Sequence, residues 1–194
     1  MQTLDRLLGK QSHLRLLRTL YGAETPLSGR DLQRRTGLSN RATMQALGAL
    51  CAIGAVERWQ EGTRYRHRLN TGHYWVAKVL APAFEAERQF WQDLARTIRK
   101  HLRPRPMAAV LTGSLARQGE PVNARLDLVL LFQNGRTRLA ACRGLPVLTA
   151  ALACRYALPS SVTLVDLNSM DRQEYDALWR RVEREGLLLF GNLA

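Results

Sequence analysis

Arg64, Arg66 and Arg68 stand at alternate positions in the run Thr63-Arg64-Tyr65-Arg66-His67-Arg68-Leu69. In a strand the period of two puts the three guanidinium groups on one face, with Tyr65, His67 and Leu69 on the other. Like charges so placed repel unless an anion sits opposite, so the chemistry on offer is the grip on a polyanion. A second constellation lies further on. An apolar run through Val110-Leu111-Thr112 enters Gly113-Ser114-Leu115-Ala116-Arg117-Gln118-Gly119, and Arg125-Leu126-Asp127-Leu128-Val129-Leu130-Leu131-Phe132 follows as a second apolar run around one carboxylate. Arg125 and Asp127 share a strand face, which allows an ion pair and puts a cation beside the carboxylate.

Other chemistries lack the residues they need. Cys51, Cys142 and Cys154 are odd in number and widely spaced in apolar or helical stretches, a pattern of buried thiols rather than of a disulfide framework. His13, His67, His73 and His101 are scattered, and no CxxC or HExxH spacing occurs, so no metal site rests on His or Cys. The longest near-apolar stretch, Leu47 to Val56, is half of the ~20 residues a membrane span requires, and Met1-Gln2-Thr3-Leu4-Asp5 opens no signal peptide. The expected location is the cytoplasm, in association with the nucleoid, with no membrane partner.

The elements that must carry these residues follow from charge and periodicity. The 194 residues include 29 Lys and Arg against 16 Asp and Glu, a formal charge of +13, and 46% of them are hydrophobic, enough to build a folded core. Residues 1–106 hold 19 basic and 8 acidic residues, net +11; residues 107–194 hold 10 and 8, net +2. The step falls at Pro104-Arg105-Pro106, a breaker suited to a domain boundary. Three segments are expected: a basic domain over 1–70, a helical connector over 71–104, and a smaller domain over 105–194.

Within the basic domain, Ser12 is the expected cap of a helix carrying Leu14, Leu16, Leu17 and Leu20. Leu27 to Thr36 forms a short helix stopped by Gly37, and Ser39 caps a third helix with Met44, Leu47, Leu50 and Cys51 on its inner face. Ala55 to Trp59 and Thr63 to Leu69 pair as a hairpin through Gln60-Glu61-Gly62. Trp59 and Tyr65 are expected as packing residues, opposite the arginines or at their margin. This order of elements resembles the winged helix-turn-helix domains of prokaryotic transcription regulators. The resemblance implies that the helix after Ser39 enters the major groove of double-stranded DNA and the hairpin touches the backbone. It makes Arg34, Arg35, Ser39, Asn40, Arg41, Thr43, Gln45, Arg58, Arg64, Arg66 and Arg68 the candidate DNA-binding residues. From His73 to His101 a helical stretch, interrupted near Pro82, carries Val76, Val79, Leu80, Phe84, Phe90, Trp91, Leu94 and Ile98. That stripe is wider than one packing partner needs, which suggests a homodimer.

The second constellation resembles the minimal nucleotidyltransferases of the polymerase-β-like superfamily, whose pattern is a hydrophobic run, G-S-x-A-R-G, then S-D-x-D on the next strand. The resemblance implies that Gly113, Ser114 and Arg117 lie near a nucleotide phosphate, and that two strand carboxylates hold Mg²⁺ ions. Here Ala124-Arg125-Leu126-Asp127 stands at the S-D-x-D position, so Arg125 replaces one carboxylate. In the later run Val162-Thr163-Leu164-Val165-Asp166-Leu167-Asn168, Thr163 stands at the third carboxylate, and Asp166 faces the other way. Arg125, Asp127 and Thr163 thus form a degenerate active site with no metal and no cofactor.

The expected fold class is α+β: a winged helix-turn-helix, a long helical connector, and a small α/β nucleotidyltransferase-like domain with a mixed sheet. The expected function is sequence-specific binding of double-stranded DNA by a transcription regulator that is not an enzyme and has no catalytic residues. Its second domain would serve dimerisation or sensing of a nucleotide effector. Two alternatives stand beside it: an active nucleotidyltransferase of a toxin–antitoxin or defence system, and a non-sequence-specific DNA repair or architectural protein.

Overall fold

The computed structural model describes residues 3–116, 124–169 and 175–192. The chain divides into two compact units, Met1–Arg88 and Gln89–Ala194.

The N-terminal unit opens with α1 (Thr3–Leu8), absent from the sequence reading, and α2 (Gln11–Tyr21). Lys10, not Ser12, holds the cap position of α2 and offers no side-chain acceptor. A two-residue strand β1 (Leu27–Ser28) leads into α3 (Gly29–Thr36). Ser28 and Asp31 close α3 reciprocally: the Ser28 hydroxyl oxygen accepts the Asp31 N–H, and the Asp31 carboxylate accepts from the Ser28 N–H and hydroxyl. Gly37 ends the helix at φ +68°, where a side chain would be strained. Ser39 caps α4 (Asn40–Ala52), its oxygen accepting the Ala42 N–H at 3.2 Å.

Strands β2 (Val56–Glu61) and β3 (Arg64–Leu69) form an antiparallel hairpin, and β1 joins β3 on its other side. The turn is Gly62-Thr63 rather than Gln60-Glu61-Gly62. Positive φ at Gly62 alone gives the turn type whose twist matches that of the strands, so Gln60 and Glu61 stay in the ladder. Leu16, Leu17, Leu20, Leu32, Leu47, Leu50 and Leu69 make the core of this unit.

Helical residues run without a break past Pro82. The wider π turn Val76–Leu80 precedes α5 (Ala81–His101), and the Ala81 N–H reaches back to the Val76 carbonyl. The shift in bonding register arrives just before the proline that has no N–H to give. The broad apolar stripe is divided between two cores. Val76, Leu80 and Phe84 are buried in the N-terminal core; Leu94 and Ile98 are buried in the C-terminal one. Phe90 packs edge-on against Trp91 and Tyr156. Much of the stripe is thus covered within the chain, while Val79, Phe90 and Trp91 remain half-buried.

The C-terminal unit is a mixed four-stranded sheet in the order β6-β5-β4-β7, from β4 (Ala108–Thr112), β5 (Leu126–Phe132), β6 (Ser160–Asp166) and β7 (Leu187–Phe190). β5 pairs antiparallel with β4 and parallel with β6. Covered on both faces, β5 reads as a nearly unbroken apolar run. Leu126, Leu128, Leu130 and Phe132 share a core with α5, α6 (Gly135–Cys142) and α7 (Leu145–Tyr156). Val129, Leu131 and Val165 pack with Val182 of α8 (Asp176–Glu185). The unit has the mixed sheet and α+β class expected of it. No described helix is long and apolar enough to cross a membrane. The cysteines differ from expectation: Cys51 is half-buried, and Cys142 and Cys154 are exposed.

Candidate functional site

In the N-terminal unit the outward face of α4 presents Asn40, Arg41, Met44 and Gln45, all exposed. Two residues exchange the sides expected of them. Thr43 is fully buried, and its hydroxyl donates to the Ser39 carbonyl at 2.9 Å, so it cannot reach a ligand. Met44, expected inside, is 51% exposed. Leu47 lies four residues after Thr43 and three after Met44, and either spacing suits the inner face. A hydroxyl that satisfies itself on the preceding turn can be buried at little cost. Met44 instead lines a concavity of about 340 Å³ with Arg30, Arg64, Tyr65 and His67.

The hairpin arginines already meet anions of their own. Register places Glu57 opposite Arg68, Trp59 opposite Arg66, and Glu61 opposite Arg64. Arg66 Nε donates to Glu61 at 2.7 Å, and Arg68 Nη2 donates to Glu57 at 2.6 Å. The sequence argument that these guanidinium groups require an outside anion is corrected: β2 supplies two carboxylates. Trp59 lies on the arginine face, 5.7 Å beneath the Arg68 guanidinium, and Tyr65 lies beneath Arg58 at 4.8 Å. Both rings are exposed rather than packed inside. Arg34 is exposed and pairs with Asp31 at 3.3 Å; Arg35, Ser39 and Arg64 are exposed as well.

His67 faces inward. It is buried, with Nδ1 donating to the Leu27 carbonyl at 3.4 Å. Burial holds its pKa below the ordinary value, opposed by that hydrogen bond and helped by Arg58.

In the C-terminal unit the second constellation converges. Register sets Thr112 and Ser161 on either side of Asp127, and Thr163 beside Val129, all on the face covered by α8. Arg125 Nε lies 2.7 Å from Asp127 Oδ1. Gly113 sits at φ +82°, and a Cβ there would lie 2.7 Å from Asp127 Oδ2. Only glycine lets the turn close on that carboxylate. Ser114 follows, half-buried; Arg117 lies outside the described residues.

Thr112, Arg125, Asp127, Ser161, Thr163, Leu178 and Arg181 line a cavity of about 160 Å³. Arg181 comes from α8, and no spacing in the sequence could tie it to a strand more than fifty residues earlier. Asp166 turns to the opposite face, where Arg138 donates to it at 2.8 Å. Mg²⁺ demands hard oxygen ligands and negative charge. Among the described residues this cavity offers one carboxylate, bound to a guanidinium, beside a second guanidinium. That donor set does not fit a two-metal centre.

No protein-family model matches the chain, and no curated protein matches it. Among solved structures it is similar to a mutant of the toxin–antitoxin MntA-HpeT, with 21% identity and a TM-score of 0.36, over 53% of this chain and 74% of that one. A toxin–antitoxin solved with AMP-PNP gives 23% identity and a TM-score of 0.35 over the same shares. Human N-acetylserotonin methyltransferase in complex with SAM gives 13% and 0.33, over 50% of this chain and 32% of that one. The expectation that this chain is not an enzyme is withdrawn; one of the solved structures it is similar to is a toxin–antitoxin with AMP-PNP.

Proposed function

We propose that residues 1–88 act as a winged helix-turn-helix that binds double-stranded DNA, and that the chain is a DNA-bound nucleotidyltransferase-like protein. The observation that carries DNA binding is the exposed row Asn40, Arg41, Met44 and Gln45 on a capped helix, beside a hairpin bearing Arg64, Arg66 and Arg68. Side chains of this kind at the start of a helix suit base edges and phosphates. The glutamate partners of Arg66 and Arg68 are exposed, so exchanging them for phosphates costs little. Fluorescence anisotropy with a duplex from the region upstream of the coding sequence tests this. Binding should weaken at least tenfold in Arg41→Ala and Gln45→Ala, and fall steeply with salt. Equal affinity for a random duplex removes sequence specificity and leaves the architectural reading; absence of binding removes both.

A second reading, nucleotidyl transfer within a toxin–antitoxin or defence pair, is favoured by the Gly113 turn closing on Asp127, a residue that lines a polar cavity. Label passing from a nucleotide to a co-incubated protein or nucleic acid, and lost in Asp127→Ala, supports it. No transfer with or without Mg²⁺ removes it.

A further inference from the structure

We infer that the cavity between β5, β6 and α8 takes a phosphoryl group directly on Arg125 and Arg181, with guanidinium groups standing where a two-metal site would place cations. This rests on reading the cavity as the nucleotide site. Among the described residues its charged lining is two guanidinium groups, Arg125 and Arg181, against the Asp127 carboxylate, a net positive charge. Arg125 spends its Nε on Asp127 and keeps both Nη groups for an anion. Arg181 lies 4.0 Å from the Glu185 carboxylate, its one ion-pair partner among the described residues and beyond hydrogen-bond reach. Hydroxyls of Ser161 and Thr163 line the same space and add donors that suit phosphate oxygens.

Size decides what part of a ligand enters. At about 160 Å³ the cavity is smaller than the ~300–1,000 Å³ of pockets that enclose a whole small molecule. A phosphoryl group fits, and the remainder of a nucleotide stays outside. Arg125 and Arg181 come from different elements and supply planar donor pairs, the geometry best matched to phosphate oxygens. In this arrangement Asp127 is a competitor, since it occupies one edge of Arg125 and repels the incoming anion. In a metal site the same carboxylate would be indispensable. The two arrangements therefore predict opposite effects of removing its charge.

Isothermal titration calorimetry of the full chain with pyrophosphate and with ATP, in EDTA and in excess Mg²⁺, tests this. Pyrophosphate should bind in EDTA, Asp127→Asn should tighten it at least threefold, and Arg125→Ala with Arg181→Ala should weaken it at least tenfold. Pyrophosphate should also raise the Tm of the unaltered chain in EDTA, a readout that depends on no variant folding. Binding seen only with Mg²⁺, or lost in Asp127→Asn, overturns the inference and leaves the cavity as a nucleotide site. Unchanged affinity in the double arginine variant places the anion elsewhere on this basic chain and overturns it as well. No binding of either ligand in either buffer overturns both the inference and the nucleotide-site reading.

Discussion

Gly37 in the N-terminal unit and Gly191 in the C-terminal unit share a left-handed backbone, at φ +68° and +88°, and differ in everything around it. A Cβ on Gly37 would meet nothing within 4 Å; one on Gly191 would meet the Met107 carbonyl oxygen at 2.2 Å and the Ala108 Cα at 2.6 Å. The first glycine serves its own helix end. The second lets β7 run close against the start of β4. The contrast holds widely: α3 and α4 are set by caps a few residues away, whereas the C-terminal site is assembled by register between distant strands.

The largest effect should come from filling that close approach. Gly191→Ala is expected to destabilise the C-terminal unit by about 3 kcal/mol or more, since backbone atoms rather than flexible side chains stand in the way. Gly37→Ala should cost only about 1 kcal/mol, the strain of the left-handed conformation alone. Urea midpoints of the two variants measure the gap, and equal losses would break the comparison.

Charged pairs should divide the same way. Asp166 is almost wholly buried, with Arg138 donating to it, so Arg138→Met takes a charged donor from a buried carboxylate and should cost about 2 kcal/mol. The Arg68–Glu57 pair lies on an exposed face, and Arg68→Met should change stability by no more than about 0.5 kcal/mol. Its effect should appear instead in duplex affinity and in a shallower salt dependence. A large stability loss from Arg68→Met would mean that the hairpin arginines are structural and not held ready for a partner.

What could be read in the sequence follows the same division. Ser28, Asp31, Gly37 and Ser39 announce α3 and α4 because each cap acts within one turn of its own residue. The strands at 108–112 and 126–132 are legible as apolar runs, and Arg125 beside Asp127 follows from the period of two. Non-local placements were not legible. Nothing at Glu57 or Glu61 says which arginines they will meet until the hairpin turn is fixed at Gly62-Thr63, and a shift there changes every cross-strand partner. Arg181 and Ser161 join the cavity only through the packing of α8 and the parallel pairing of β6. Thr43 and Met44 were exchanged because helical period admits both, and the choice rests on where each polar atom finds a partner.

A smaller effect should come from the α3 cap. Ser28→Ala should cost about 1 kcal/mol. Hydrogen bonds from the Ser28 side chain and then its backbone hold the Asp31 carboxyl below its ordinary pKa. A carboxyl lowered by folding contributes stability above its ordinary value near ~4, and loses it as pH falls through the lowered one. Asp31→Asn should therefore flatten the acid limb of the urea midpoint plotted against pH, and an unchanged limb would detach the cap from acid sensitivity.

The smallest effect tests a place where the N-terminal unit depends on burial rather than local capping. His67 is held neutral mainly by desolvation, so its folded pKa lies below its ordinary value near ~6.5. Between the two values the unfolded chain binds a proton that the folded chain refuses. Stability should consequently fall as pH drops below the ordinary value, and level off once it passes the lowered folded one. The sign is the same as for Asp31, but the window lies higher, so the two separate on one titration. His67→Gln, able to keep a donor toward the Leu27 carbonyl, should remove the upper step and leave the acid limb in place. If the upper step survives, another group titrates there, and the inward face of the hairpin is not the part of this unit that packing controls.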